Sequence, residues 1–221
     1  MSIEEPGVAL EDPSTFPDEV WELVGSAQGT ARLLRYAELL VAEGEVRGLI
    51  GPRELPRLWS RHLVNCLVVN PLIGEGVTVA DVGSGAGLPG VVIAATRPDV
   101  AVTLIEPMER RAQWLGEVVE DLGLENARVL NARAEDLVGE VRADVVTARA
   151  VARLDKLIPW TVPLAARGGR VLALKGERAV EEIAAARKLF RKYRIENSRL
   201  HELRSPLDGE VTRVVELQLA R

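Results

Sequence analysis

The residues best placed to do chemistry lie in the run Val79-Ala80-Asp81-Val82-Gly83-Ser84-Gly85-Ala86-Gly87-Leu88-Pro89-Gly90. The apolar stretch from Val77 to Val82 ends there, and a helical pattern from about Leu88 to Thr96 begins. The glycines therefore occupy the turn from a strand into a helix. Glycine lets the backbone turn sharply and approach a ligand, and the carboxyl end of a strand is where open α/β sheets bind nucleotides. Glu106 follows at the end of the next apolar run, Ala101 to Ile105. A carboxylate there can accept hydrogens from both hydroxyls of a ribose.

The glycine spacing helps to choose the ligand. It is Gly-x-Gly-x-Gly, with Leu88 next, and not the Gly-x-Gly-x-x-Gly of dinucleotide folds. Asp81 precedes the first glycine by two residues. A carboxylate is a poor neighbour for a pyrophosphate and a good one for a sulfonium or an ammonium group. These features favour S-adenosylmethionine over a nicotinamide dinucleotide. The expected contacts are Asp81, Gly83, Ser84, Gly85, Gly87, Leu88 and Glu106, with Ala134 and Glu135 at the adenine end. A glycine turn that only packs helix on strand is the structural alternative.

These residues need a sheet to hold them. Further strands are expected at Ala127–Leu130, Ala143–Ala148 and Arg170–Leu174, and helices at Met108–Leu122, at Leu154–Ala165, broken or bent by its prolines, and at Ala179–Tyr193. Strand–helix alternation of this kind builds a Rossmann-like α/β fold with a mostly parallel sheet. Ile195–Leu203 and Val211–Leu219 flank Asp208-Gly209, which predicts an antiparallel hairpin at one edge. Upstream, an apolar stripe through Leu58, Trp59, His62, Leu63, Cys66 and Leu67 predicts a helix ending near Asn70-Pro71. The chain thus divides into an acidic, flexible leader over 1–25, N-terminal helices over 26–73 and the main domain over 74–221.

Composition limits the alternatives. A chain of 221 residues with 47% hydrophobic and 4% aromatic content suits one α/β core with a small appended element. No apolar run approaches the roughly 18 residues of a membrane helix, and the acidic start is unlike a secretory signal. A cytoplasmic monomer without a membrane partner is the expectation. One cysteine, Cys66, and two histidines, His62 and His201, leave no basis for a disulfide or a metal cluster. The net charge of -5 argues at first against a nucleic-acid partner. However, residues 1–25 hold seven acids and no Lys or Arg, so the remainder carries +2. One local basic face is therefore possible.

Asp81 to Gly90, with Arg61-His62-Leu63 upstream, Ala148-Arg149-Ala150 at the fourth strand and Leu174-Lys175-Gly176 at the fifth, resembles the bacterial 16S rRNA guanine-N7 methyltransferase family. The resemblance runs from about Ala31 to Leu219. Two departures lie outside the cofactor loop and bear on RNA docking: Val46–Gly51 replaces an Asn-Leu-Thr segment, and Asn65 stands where many members have aspartate. The resemblance implies a class I methyltransferase that uses S-adenosylmethionine on 16S rRNA or the 30S subunit, at N7 of guanine 527 in the 530 loop. It also implies catalytic roles for Arg149, Lys175 and His62. Arg149 could grip the cofactor carboxylate or an RNA phosphate, and Lys175 a phosphate. His62 also reads as a packed, hydrogen-bonded core histidine. Arg110, Arg111, Arg153, Lys156 and Arg178 could extend a basic rim or simply be solvated.

The reaction type is narrowed by what is missing. Methylation at carbon 5 of a pyrimidine needs a thiolate, and Cys66 sits on the core stripe. Amino-group methylation often uses Asn/Asp-Pro-Pro-aromatic at the fourth strand, where this chain has Thr147-Ala148-Arg149-Ala150. Guanine N7 presents a lone pair and needs no general base, only alignment and a looped-out base. A methyltransferase for another RNA base or a small molecule, and a non-catalytic nucleotide-binding scaffold, are the competing readings.

Overall fold

Apolar runs become strands where both of their faces can be covered. In the computed structural model, which describes residues 10–221, they are β1 Thr78–Val82, β2 Ala101–Ile105, β3 Ala127–Leu130, β4 Ala143–Arg149, β5 Ala165–Lys175, β6 Ile195–Arg204 and β7 Val211–Leu219. They form one sheet in the order β3-β2-β1-β4-β5-β7-β6. The first five strands pair in parallel, and β7 runs antiparallel to both β5 and β6. Strand order reverses between β1 and β4, and the crevice above that reversal is where such sheets bind ligands.

The helices are α1 Asp18–Glu22, α2 Ala27–Glu43, α3 Val64–Leu67, α4 Gly90–Thr96, α5 Glu109–Asp121, α6 Leu154–Thr161 and α7 Ala179–Phe190. Side chains alternate across a strand, so Val79 enters the core under α2, α4 and α5, and Ala80 the core under α6 and α7. The helix expected from Leu154 to Ala165 stops at Thr161, and one 3₁₀ turn, Val162–Leu164, leads into β5. Val162 keeps helical backbone, but Pro163 has no N–H to donate to Pro159 O, so the α-helical ladder cannot continue.

The described part of the acidic leader, residues 10–25, is packed on the helical layer. Phe16, Trp21 and Trp59 form an aromatic cluster with ring centroids 5.5–6.2 Å apart. The Glu11 carboxylate accepts the Trp59 and Ser60 N–H groups at 2.7 and 3.0 Å, satisfying amides that a helix start leaves unpaired. These contacts correct the expectation of a flexible leader over this part; residues 1–9 lie outside the described residues.

The stripe from Leu58 to Leu67 is helical, but Leu58–Leu63 forms a π-helical turn before α3. There the Val64 N–H donates to Trp59 O, five residues back. Wider turns of this kind recur at functional sites.

Candidate functional site

The glycine turn is held from below. Asp81, at the end of β1, has no exposed surface. One carboxylate oxygen accepts the Thr147 hydroxyl of β4 at 2.8 Å, and the other accepts the Gly90 N–H of α4 at 3.1 Å. Burial outweighs these bonds and raises its pKa to about 6. Gly90 makes room for this carboxylate, since a Cβ there would lie 2.7 Å from Asp81 Oδ2. Asp81 therefore joins β1, β4 and α4 beneath the loop and does not reach the cleft. Gly87 likewise serves packing, because a Cβ there would lie 2.6 Å from Val91 and 2.7 Å from the Tyr36 hydroxyl. The expected cofactor contacts at Asp81 and Gly87 are thus replaced by structural roles.

The upper surface of the turn is different. Gly85 has a φ of +56° and no packing neighbour nearer than 3.8 Å to its missing Cβ, and that carbonyl belongs to Gly83. The Gly85 N–H donates to Glu106 Oε2 at 2.9 Å, and the Met108 N–H donates to Oε1 at 2.9 Å. Glu106 thus ties the glycine turn to the start of α5. Ala86 O accepts both the Tyr36 hydroxyl at 2.8 Å and the Trp114 indole N–H at 2.9 Å.

Two cavities, of about 650 and 610 Å³, open along this surface and meet at Gly83, Pro107, Met108 and Val151. The first is lined by Gly83, Ser84, Gly85, Leu88, Glu106, Arg149 and His62. The second contains Ala134 and Glu135, beside Trp160. Leu49, Ile50 and Gly51 also line the first cavity. The segment that departs from the family pattern therefore lines the same cavity as the glycine turn.

Arg149 and His62 meet, and their polar groups are committed to one another and to their neighbours. The Arg149 guanidinium donates to the backbone oxygens of Arg61 and His62, both at 3.2 Å, and to Cys66 Sγ at 3.3 Å. It also contacts His62 Nδ1 at 2.5 Å. His62 Nε2 lies 3.0 Å from Glu54 Oε2. An arginine can only donate, so Nδ1 accepts and Nε2–H donates to Glu54. Burial, reinforced by the Arg149 cation and opposed by Glu54, lowers the His62 pKa to about 4. Burial raises that of Cys66.

Lys175 is not a free cation at the rim. Its ammonium lies 3.0 Å from Glu182 Oε2 and donates to Ala152 O, and its side chain is only 8% exposed. The same Glu182 oxygen accepts the Leu154 N–H at 2.8 Å. This latch holds the segment after β4, where Ala150 adopts a φ of +56° and Val151 stands over Gly83. A phosphate-binding role is replaced by a positioning one, because Lys175 is already neutralised.

Arg111, on the first turn of α5, lines the first cavity with a buried Nε that has no hydrogen-bond partner. Sequence reasoning gave it no more weight than other rim arginines. Position alone, five residues after Glu106, was the available signal. Arg53, Arg110, Arg133, Lys156 and Arg178 are exposed around the cleft, and among the described residues none forms an ion pair. No cluster of three or more metal-ligating His, Cys, Asp or Glu side chains occurs among the described residues.

The sheet order and the nucleotide crevice are those of the Rossmann-like class I S-adenosylmethionine-dependent methyltransferases. A methyltransferase from Pyrococcus furiosus shares the fold with a TM-score of 0.56 over 70% of this chain and 81% of that one, at 13% identity. A SAM-dependent O-methyltransferase from Thermotoga maritima does so with a TM-score of 0.51 over 72% and 64%, at 15% identity. The family follows from sequence. The chain belongs to the GidB family, rRNA small subunit methyltransferase G, whose model matches residues 30–211. A ribosomal RNA small subunit methyltransferase G from Thermobifida fusca is 58% identical over 170 residues, covering 77% of this chain and 71% of the relative. One from Beutenbergia cavernae is 49% identical over 191 residues, covering 86% and 90%.

Proposed function

We propose that this chain transfers a methyl group from S-adenosylmethionine to N7 of a guanine in 16S rRNA, the family resemblance indicating guanine 527. The observation that carries the N7 reading is the Glu54–His62–Arg149 chain. It occupies both nitrogens of the one histidine in the cleft and leaves that ring neutral. Cys66 is buried with its thiol pKa raised, and Asp81 is sealed under the loop. None of these three groups is poised to remove a proton from an acceptor, and N7 of neutral guanine has no proton to remove.

The residues present fit the cofactor. Glu106 retains lone pairs for a ribose beside the two amides it accepts, and Ala134–Glu135 border the cavity suited to the adenine. Gly85 leaves open backbone between them. Arg111, with its orphaned Nε, is the cation available to meet a carboxylate, in place of the committed Arg149. When bound, S-adenosylmethionine supplies an electrophilic methyl group on a sulfonium. The chain's task is then to orient and to exclude water. Arg149 fixes the end of β4 against the π-helical turn, and the Lys175–Glu182 latch fixes the next three residues. The basic rim meets RNA phosphates. No described helix is long and apolar enough to cross a membrane; we place the enzyme in the cytoplasm, acting on rRNA as a monomer.

The test is a 16S rRNA substrate with 7-deazaguanine at the target. It should bind like the natural RNA and accept no methyl group, while the natural RNA yields 7-methylguanosine by nucleoside mass spectrometry. Methylation of the 7-deaza RNA, or a single-turnover rate rising tenfold per pH unit between about 6.5 and 8.5, would overturn the N7 reading.

A further inference from the structure

A second set of cations lies away from the cleft. Residues 187–194 read Arg-Lys-Leu-Phe-Arg-Lys-Tyr-Arg, with five cations and no acid. All five cations are exposed, while Leu189, Phe190 and Tyr193 turn inward against the core. Topology fixes where they sit. β5 reaches the cleft rim at Lys175, and α7 then runs back along the sheet. Its end is tied to the opposite edge, where the Ala220 N–H donates to Arg194 O at 3.0 Å and the Gly168 N–H donates to Ala220 O at 2.9 Å. Gly168 lies near the amino end of β5, so exposed Arg167 joins the same surface.

Among the described residues, no side-chain acid pairs with the cations of this surface, where Arg167 donates to Arg221 O at 3.4 Å. Arg35, Arg47, Arg57 and Arg97 each pair with an acid. Among the described residues, none of Arg167, Arg187, Lys188, Arg191, Lys192 and Arg194 forms such a pair. These six sit on a chain of net charge -5, leaving -11 for everything else. Favourable interaction with the helix dipole accounts for cations in the last turn of α7. It does not account for Lys192 and Arg194 beyond the helix, or for Arg167 on another element. Glu196 is the one exposed acid next to the run.

We propose that this face is a second RNA-docking surface, which takes the phosphodiester backbone of a 16S rRNA segment remote from the target guanine. The proposal rests on the rRNA reading above and narrows it. Because the cleft and this face lie at opposite ends of the parallel strands, an RNA touching both must be long and folded. Full-length 16S rRNA or the small subunit meets that requirement; an isolated target stem-loop does not.

The experiment compares the parent with Lys188→Gln/Arg191→Gln/Lys192→Gln, which removes three charges and keeps polar side chains at these exposed sites. Filter binding over a salt series would use full-length 16S rRNA and a stem-loop of about 30 nucleotides carrying the target guanine. We expect at least a tenfold loss of affinity for full-length rRNA near 0.1 M salt, and a salt slope shallower by about 2. Stem-loop binding, S-adenosylmethionine binding and the circular dichroism spectrum should match the parent. Unchanged affinity and slope for full-length rRNA would overturn the proposal, leaving these cations as solvated or as a site for an acidic protein. Equal losses on both RNAs would also overturn it. Failure of the parent to methylate 16S rRNA would instead strike the underlying functional reading, and is scored separately by nucleoside analysis.

Discussion

Replacing Lys175 with methionine separates two accounts of that residue. A lysine at a strand end beside the cleft reads, from sequence, as a phosphate ligand. The structure gives it a buried partner, Glu182, and a carbonyl, Ala152 O. Lys175→Met leaves Glu182 buried with a side chain 16% exposed and with the Leu154 N–H as its remaining donor. Removing one member of a buried pair costs about 3–5 kcal/mol. The retained amide bond and partial access to water place this case near the lower end, at about 3 kcal/mol. Glu182→Gln alone should cost a similar amount. The double variant Lys175→Met/Glu182→Gln should recover most of the loss, because neither charge is then stranded. Urea unfolding of the four proteins gives the coupling energy. Single-turnover methylation should follow the same pattern, falling in each single variant and partly returning in the double. A Lys175→Met protein as stable as the parent, with RNA binding weakened and no rescue by Glu182→Gln, would refute the latch and restore the phosphate contact.

Gly83→Ala combines a φ of +69° with a Cβ 2.8 Å from Val151 Cγ2; we expect about 1–2 kcal/mol of destabilisation and at least tenfold weaker S-adenosylmethionine binding by calorimetry, partly rescued by Val151→Ala. Glu106→Gln leaves a single acceptor oxygen for two amides, so a loss of about 1.5–3 kcal/mol in stability and a drop in cofactor affinity should appear together, and an unchanged affinity would move the ribose elsewhere. His62 takes up its proton in the unfolded chain near pH 6.5 but in the folded chain only near 4, so its contribution is lost as the pH falls through that window, by at most about 3 kcal/mol. Asp81, raised from 3.8 to about 6, opposes it, losing its contribution as the pH rises through 6. His62→Gln removes the first effect alone, so urea melts should show the variant gaining on the parent as the pH drops from 6.5 to 4, and parallel profiles would assign the titration to another group.

The strands and the glycine turn were legible because their signals are local: apolar runs bounded by turns, and glycines where a strand stops. Glu106 was legible for the same reason, since its place at the end of β2 fixes where its side chain emerges. Asp81 was not. Its direction depends on Thr147 and Gly90, which come from β4 and α4 and meet it only once the sheet has formed. A strand end says nothing of a partner on α7, so the pairing of Lys175 with Glu182 has no local signal. In the leader, dense acids signal a solvated chain by composition, whereas the aromatics that dock it, Phe16 and Trp21, find Trp59 only in the folded molecule. The π-helical turn has the same apolar periodicity as an α-helix over so short a span, so nothing in its sequence distinguished the two.

Tyr36 and Trp114 converge on one carbonyl, Ala86 O, from α2 and α5. Every amino acid carries that oxygen, so no substitution at position 86 deletes the acceptor. The donors can each be lost by a single change, and they lie 50 residues before and 28 residues after the loop they secure. The mutational fragility of the cofactor turn is thus exported to two aromatic positions outside the motif. Damage to the turn can therefore arise in genes whose glycine signature reads as intact.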